Sequence, residues 1–114
     1  MTINKNLLAG STDLLILSLI KERDMYGFEI IRELEARSEK VFSLKEGTLY
    51  PVLHRLENKN YLKSYRQEGE RGRSRKYYSL TRSGLARLEE EREAFRTFSK
   101  SVTQIVFSGA YGLD

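Results

Sequence analysis

Residues 63–78 read KSYRQEGERGRSRKYY, a tyrosine-rich stretch with two glycines near its middle. The segments at its two ends, residues 62–67 and 75–80, are rich in tyrosine and alternate in polarity, as half-buried β-strands do. Between them, Glu68–Ser74 supplies the glycines that a tight connection favours. The stretch therefore predicts a β-hairpin.

The alternation also predicts which side chains of the hairpin face inward. Tyr78 and Leu80 are two residues apart and share one face of the second strand, and Leu62 begins the facing strand. Tyr77 is left on the opposite face of the hairpin.

The same stretch carries the whole excess of positive charge in the chain. Residues 63–78 contain six basic and two acidic residues, whereas the 114-residue chain contains 20 basic and 16 acidic residues and has a net charge of +4. The remainder of the chain therefore holds 14 residues of each sign. A concentrated positive patch indicates a polyanionic partner, although most charge runs are solvated loops.

Two helices are predicted early in the chain. Residues 10–22 begin with the capping types Ser-Thr-Asp and continue with apolar residues on nearly all sides, which predicts a central helix. Residues 25–38 have apolar positions at helical spacing, and Gly27 near their start predicts the close approach of another backbone. Val41 and Phe42 follow as an apolar pair, long enough for one strand rung at most.

A third helix is predicted over residues 44–59, with three leucines on its inward face, Leu49, Leu53 and Leu56. Ser43 and Glu46 have the spacing of a capping box before it.

Pro51 leaves two interpretations of this helix open, because a proline in a helix interior removes a hydrogen bond. Either the first turn is irregular and Thr48 is the N-cap, or the helix bends at Pro51. The sequence does not distinguish the two.

A long last helix is predicted over residues 82–107, capped by Thr81 and followed by a tail at 108–114. Apolar residues recur on one side of it at steps of three, four and seven, which is typical of a helix-packing seam: Leu85, Leu88, Phe95, Phe98, Val102 and Ile105. A domain this small cannot bury the seam, so a two-fold dimer is expected. The predicted dimer interface comprises Leu7, Leu8, Leu88, Phe95, Phe98, Val102 and Ile105.

Three helices followed by a basic hairpin are the order of the winged-helix variant of the helix-turn-helix. The predicted fold is therefore mainly α with a small β-hairpin. Residues 1–81 form the winged-helix domain, and residues 82–107 form a C-terminal dimerisation helix within the same compact unit.

Composition excludes several classes of function. The chain has no cysteine and one histidine, His54, so thiolate or multi-histidine metal sites and cysteine nucleophiles are absent, and no cofactor is expected. The sequence contains no phosphate-binding, dinucleotide-binding or nucleophile-elbow motif, which argues against an enzyme. No apolar run is long enough to span a membrane, and the first residues do not form a secretory signal, so a cytoplasmic protein is expected.

Three segments resemble motifs of the PadR family of bacterial transcriptional regulators. The family's hallmark is similar to residues 46–57, EGTLYPVLHRLE. Its Y-G-x-E-I segment is similar to residues 26–30, YGFEI, and its wing is similar to residues 72–81, GRSRKYYSLT. The resemblance covers residues 10–88, and the chain length is similar to that of the shorter subfamily with one C-terminal helix. It implies a homodimeric winged-helix repressor of a palindromic operator in double-stranded DNA, relieved by a small molecule or another signal.

The candidate DNA contacts follow from the helix geometry together with this resemblance. With the leucines of the third helix inward, Gly47, Pro51 and His54 point outward, and the small residues allow close approach to a groove. The predicted contacts lie on this helix, on the wing and at the start of the second helix: Tyr26, Lys45, Thr48, Tyr50, His54, Arg55, Lys63, Arg71, Arg73, Arg75 and Lys76. Tyr26 is equally compatible with a phosphate contact and with a core position. Tyr50 is compatible with a DNA contact or with packing on a neighbouring side chain.

The aromatic residues of the last helix have two interpretations. Phe95 and Phe98 either form plain dimer core or, with Leu15, line an apolar pocket for a small aromatic effector, as the resemblance implies. A winged helix can also serve as a protein-interaction module, but that role predicts an uncharged wing, and the wing here is strongly basic.

Overall fold

In the computed structural model, residues 10–108 are described. The elements in chain order are α1 (Thr12–Glu22), β1 (Met25–Tyr26), α2 (Gly27–Arg37), α3 (Glu46–Asn58), β2 (Leu62–Glu68), a single 3-10 turn (Glu70–Gly72), β3 (Ser74–Leu80) and α4 (Arg82–Phe107). The strands form an antiparallel sheet in the order β1-β3-β2. This confirms the predicted mainly α winged-helix fold with a long C-terminal helix.

The core is built around α1, which is central as predicted. Four of its aliphatic side chains are almost fully buried, and they pack with the inward leucines of α3: Ile16, Leu17, Leu19, Ile20, Leu49, Leu53 and Leu56. Apolar residues on nearly all sides of α1 let it contact α2, α3, α4 and β3 together. The leucine face of α3 therefore fixes this helix against the core.

The predicted hairpin forms from β2 and β3. Leu62 pairs with Leu80, and Tyr65 pairs with Tyr77. Leu62 and Tyr78 are buried, so one face of the hairpin packs on the core while Tyr77 lies on the other, as the alternation predicts.

The second predicted helix begins later than expected. Met25 and Tyr26 were expected within it, but they form β1 and pair with Tyr78 and Tyr77 of β3. The extended backbone places the side chain of Met25 in the core, where it is 1% exposed. It also lets backbone groups at the otherwise open edge of β3 form hydrogen bonds with β1.

The apolar pair after α2 does not form a strand rung within the described residues. Instead, the Phe42 N–H donates to Ser38 Oγ at 2.9 Å, and the ring of Phe42 packs against the core. Prediction of a strand here was wrong because a two-residue apolar pair carries no period of its own.

The start of α3 also differs from the prediction. Its N-cap is Lys45, in an extended conformation and without a side-chain cap hydrogen bond, so neither the box at Ser43 nor a cap at Thr48 forms. The Thr48 N–H instead donates to the Lys45 carbonyl at 3.0 Å. Pro51 lies inside a continuous α3, beyond its first turn, and the intrahelical hydrogen bond that it removes is on the exposed side of the helix, at Gly47.

The helix α4 spans the predicted residues, and its cap is confirmed, because Thr81 Oγ1 accepts a hydrogen bond from the Gly84 N–H at 2.9 Å. Gly84 packs directly under the backbone carbonyl of Tyr61, leaving no room for a Cβ atom. Sequence reasoning missed this contact, since a lone helical glycine has several possible causes.

The apolar seam of α4 divides into two parts. Leu88 is fully buried inside the protomer, which corrects its assignment to the dimer interface, because this turn of α4 packs on α1. Farther along, Phe95, Phe98 and Ile105 are 48%, 66% and 78% exposed. Leu7, Leu8 and the tail beyond residue 108 lie outside the described residues.

Between residues 10 and 108, no helix has both the length and the hydropathy needed to cross a bilayer.

Candidate nucleic-acid interface

The outward face of α3 is polar and open. Gly47, Thr48, Pro51 and His54 are exposed, as is Lys45 at the N-cap, while the leucines occupy the opposite side. No Cβ or larger group projects from Gly47, and nothing lies within 4 Å of the position where one would be. The face can therefore approach a flat or grooved surface closely.

Tyr50 connects α3 to the start of α2. A Cβ atom at Gly27 would lie 2.6 Å from Tyr50 Oη, so Gly27 accommodates this ring. The expected approach of another backbone is thus corrected: a side chain approaches Gly27. Burial raises the pKa of the Tyr50 phenol, with a further contribution from the Glu46 carboxylate. The side chain nevertheless remains 44% exposed and available at the edge of the face.

Arg55 is held by an acid from another helix. Its Nη1 and Nη2 donate to the two carboxylate oxygens of Asp13 at 2.9 and 2.6 Å, a bidentate pair between α3 and the first turn of α1. These hydrogen bonds raise the pKa of the Arg55 guanidinium. Both side chains are more than one third exposed, so the pair remains at the surface. Asp13 was expected only as a capping residue, but it also attaches α3 to α1, in addition to the leucine packing.

The hairpin presents basic side chains that are not paired with acids in the described part of the chain, from Lys63 at its base to Arg71 and Arg73 at its tip. Lys63, Arg66, Arg71 and Arg73 are exposed, and within residues 10–108 none of them lies in an ion pair. The turn between the strands is tight: Arg71 has a φ of 63° and Gly72 a φ of 72°. The left-handed conformation suits glycine and strains a residue with a side chain such as Arg71.

The base of the hairpin is attached to α3 through Glu57. Its carboxylate lies 3.7 Å from Lys76 Nζ on β3 and accepts a hydrogen bond from the Ser64 hydroxyl on β2. Lys76, a predicted DNA contact, is therefore engaged inside the protomer. Sequence reasoning missed the role of Glu57, although this residue lies in the EGTLYPVLHRLE segment. Its two partners come close to it only when the hairpin folds back onto α3.

A cluster of three tyrosines covers the other face of the sheet. Tyr77 stacks on Tyr65 at a centroid distance of 5.7 Å and contacts Tyr26 edge to face at 5.4 Å. The Tyr65 hydroxyl donates to Asp24 Oδ2 at 2.6 Å, which raises the pKa of this phenol to about 12. The alternation had placed Tyr77 on this face, but it carried no information about β1, which supplies Tyr26.

Tyr26 lies at the N-cap of α2 and is partly buried. Arg75 of β3 bends over its ring, with the guanidinium carbon 4.5 Å from the centroid, and Arg75 Nη1 donates to Tyr26 Oη at 3.1 Å. Tyr26 is thus neither a plain core residue nor a free surface group.

The predicted site residues consequently fall into two groups. Arg55, Arg75 and Lys76 make contacts with side chains of other elements, whereas the remaining basic positions of the hairpin and the outward face of α3 are open. In the described part of the chain, no group of three His, Asp or Glu side chains is arranged to hold a metal ion.

The α1–α4 surface contains an apolar groove of about 660 Å³, lined by Leu14, Leu15, Phe42 and Phe95 with Arg92 and Arg96 beside them. Two of the three predicted effector-pocket residues, Leu15 and Phe95, thus lie in one groove. Phe98 lines a neighbouring depression that shares Phe95 and Leu14.

A tight helical core that presents the polar face of its third helix beside a basic hairpin is the architecture of a winged-helix DNA-binding protein. Residues 16–90 match the PadR-like family of transcriptional regulators. The chain belongs to this family.

Individual relatives agree with this assignment. A transcriptional regulator from Clostridium thermocellum superposes with a TM-score of 0.82 at 33% identity, covering 90% of this chain and 99% of that one. A PadR family regulator from Clostridium difficile is 41% identical, with a TM-score of 0.72 and coverage of 85% and 99%. Transcriptional regulator Rv3488 of Mycobacterium tuberculosis is 36% identical over 87 residues, covering 76% of this chain and 78% of that protein.

Proposed function

We propose that this chain is a cytoplasmic, sequence-specific repressor that acts as a homodimer on a palindromic operator, and that a small aromatic ligand relieves the repression. The observation that carries the DNA-binding role is a contrast in pairing. Arg71 and Arg73 at the hairpin tip have no acidic partner within the described residues, whereas Arg87, Arg92 and Arg96 on α4 each pair with glutamates of the same helix. Free arginines at a hairpin tip suit contacts with phosphates or the minor groove.

The homodimer is supported by the exposed apolar half of α4. Phe95, Phe98, Val102 and Ile105 remain exposed along one side of a 26-residue helix. A second copy that covers this side would form a two-fold interface in which the same patch is used twice. The dimer would place two α3 helices in successive major grooves, with half-sites about one helical turn apart.

The proposal is tested by fluorescence anisotropy with a labelled duplex from the region upstream of the coding sequence. A composition-matched scrambled duplex is measured beside it, each at two salt concentrations. We expect tighter binding to the upstream duplex and a steep salt dependence. Equal affinity for both duplexes would contradict sequence-specific recognition of that region, and lack of binding at low salt would contradict the DNA-binding role. Run-off transcription from the same duplex should fall as the protein is added if it represses.

The contribution of the hairpin tip is measured with Arg71→Ala plus Arg73→Ala. This variant should weaken binding to both duplexes by similar factors and reduce the salt slope by about one per lost phosphate contact. Arg87→Ala plus Arg96→Ala removes the same charge from α4 and serves as the matched control. Equal slopes in the two variants would remove the hairpin tip from the interface.

The contribution of α3 to sequence recognition is measured with Thr48→Ala, since Thr48 is exposed on the outward face. A base contact predicts a loss of about 1–3 kcal/mol on the upstream duplex and a smaller loss on the scrambled one. Equal losses would make Thr48 a backbone contact.

The effector role rests on the apolar α1–α4 groove, whose 660 Å³ lies within the range of small-molecule sites, about 300–1,000 Å³. Anilinonaphthalene sulfonate, an aromatic probe, should bind saturably and weaken DNA binding, and Phe95→Ala should reduce both effects. Unchanged DNA affinity at saturating probe would contradict an effector role for this groove.

A further inference from the structure

Two kinds of arginine occur in the basic hairpin. Arg71 and Arg73 at the tip are exposed and make no ion pair within the described residues, whereas the guanidinium of Arg75 lies over the ring of Tyr26 and donates to its hydroxyl. The Arg75 side chain is thus held in one direction before any partner arrives. An arginine side chain that is already held in place loses less conformational entropy when it binds, so the free-energy cost of binding is smaller.

Tyr26 is itself held from three sides. Its backbone pairs with Tyr77 in β3, and its ring contacts the edge of the Tyr77 ring. Its N–H donates to Glu29 Oε1 at 3.3 Å, and Glu29 in turn pairs with Arg23 at 3.0 Å. The ring under Arg75 therefore belongs to the rigid part of the protomer and provides a fixed platform.

The contact leaves Arg75 able to bind a second group. A guanidinium has five N–H donors, and the structure assigns one of those on Nη1 to Tyr26 Oη. No carboxylate lies within ion-pair distance of Arg75 in the described part of the chain, so its charge is not neutralised. Arg55 differs in this respect, because Asp13 neutralises it.

We propose that Tyr26 is a positioning residue for DNA binding, which holds Arg75, close to the turn of the hairpin, so that its remaining donors contact one backbone phosphate. This inference rests on the proposed DNA-binding function. Tyr26 acts through Arg75 in this assignment and does not itself have to contact DNA. The anchored arginine sets the register of the hairpin on the duplex, while those at the tip follow the DNA backbone.

The experiment is a double-mutant cycle on duplex binding, measured as affinity and as salt slope. Arg75→Ala should reduce the salt slope by about one and the affinity by about tenfold, the size of one charge-assisted hydrogen bond. Tyr26→Leu should produce most of the same loss when Arg75 is present and almost none in the Arg75→Ala background. Similar losses from Tyr26→Leu in both backgrounds would overturn the proposal.

Two further variants separate positioning from folding. Tyr26→Phe keeps the ring and removes the hydroxyl, so it should keep the slope and lose affinity by less than Tyr26→Leu. Tyr65→Phe removes a hydroxyl from the same cluster, but one that faces Asp24, and it should leave the Arg75-dependent slope unchanged. A change of slope in Tyr65→Phe equal to that in Tyr26→Leu would overturn the assignment, since any disturbance of the cluster would then suffice.

A measurement without DNA distinguishes failure of this inference from failure of the proposed function. Protons of the Arg75 side chain lie over the Tyr26 ring, so their NMR resonances should be shifted upfield by the ring current and should return to ordinary positions in Tyr26→Leu. Absence of the upfield shift overturns the inference alone. An intact shift in a protein that binds no duplex at any salt concentration overturns the proposed function, and with it the role of Tyr26.

Discussion

Replacing Phe98 by glutamate tests whether the exposed part of the α4 seam is the dimer interface. Phe98 is 66% exposed in the protomer, so its ring contributes little to the core of a single chain. The change should therefore leave the winged-helix part folded and act on association. We expect the variant to be monomeric and to lose tight binding to the upstream duplex.

The magnitude follows from the exposed area. A buried phenylalanine removes about 150–250 Å² from water, so the exposed two thirds of Phe98 correspond to roughly 130 Å² per copy, or about 3 kcal/mol at 25 cal/mol per Å². Two copies in a symmetric interface then contribute about 6 kcal/mol, which is a factor of roughly 10⁴ in the dissociation constant. Burying two carboxylates in the same place adds a further penalty.

Sedimentation equilibrium over a range of protein concentrations measures this change directly. Thr97→Glu introduces the same charge at the neighbouring exposed position of α4, and it should remain dimeric because that side chain lies about 100° around the helix. Circular dichroism checks that both variants keep their helical content. A Phe98→Glu protein that sediments as a dimer with wild-type affinity would refute the assignment of the seam.

Three further predictions concern the protomer. Gly84→Ala should destabilise it by about 2 kcal/mol in urea denaturation, although alanine favours helices, because the new methyl group meets the carbonyl of Tyr61; equal or greater stability would show that the loop yields easily. Asp13→Ala and Arg55→Ala should each cost at most about 1 kcal/mol, with a coupling of the same size in the double mutant, since both side chains are partly exposed; zero coupling would mean that the pair does not persist in solution. The pKa of Tyr65 is about 12 in the folded protein, against an ordinary value near 10 in the unfolded chain. The neutral phenol therefore stabilises the fold at pH values below 10, and this contribution to the free energy of unfolding is lost as the pH rises from 10 towards 12. Tyr65→Phe should remove that pH dependence of the melting temperature, and an unchanged profile would contradict it.

The elements that sequence reasoning predicted well are those with a sustained period. The leucines of α3, the alternation of the hairpin and the long seam of α4 repeat over several turns or rungs, and each repeat reports which face is buried. The boundaries of α4 and the inward face of α3 were confirmed for this reason. Short features without a period were wrong: β1 was assigned to a helix, and the capping box at Ser43 does not form.

Sequence alone therefore determined the winged-helix order, the concentration of charge in the hairpin and the family. Tertiary structure decided which charged and aromatic side chains are engaged. Arg55 meets Asp13 from 42 positions away, and Arg75 meets Tyr26 from 49 positions away. Local spacing reflects the geometry of one helix or strand, whereas such contacts depend on how separate elements pack, and no pattern within either segment records its distant partner.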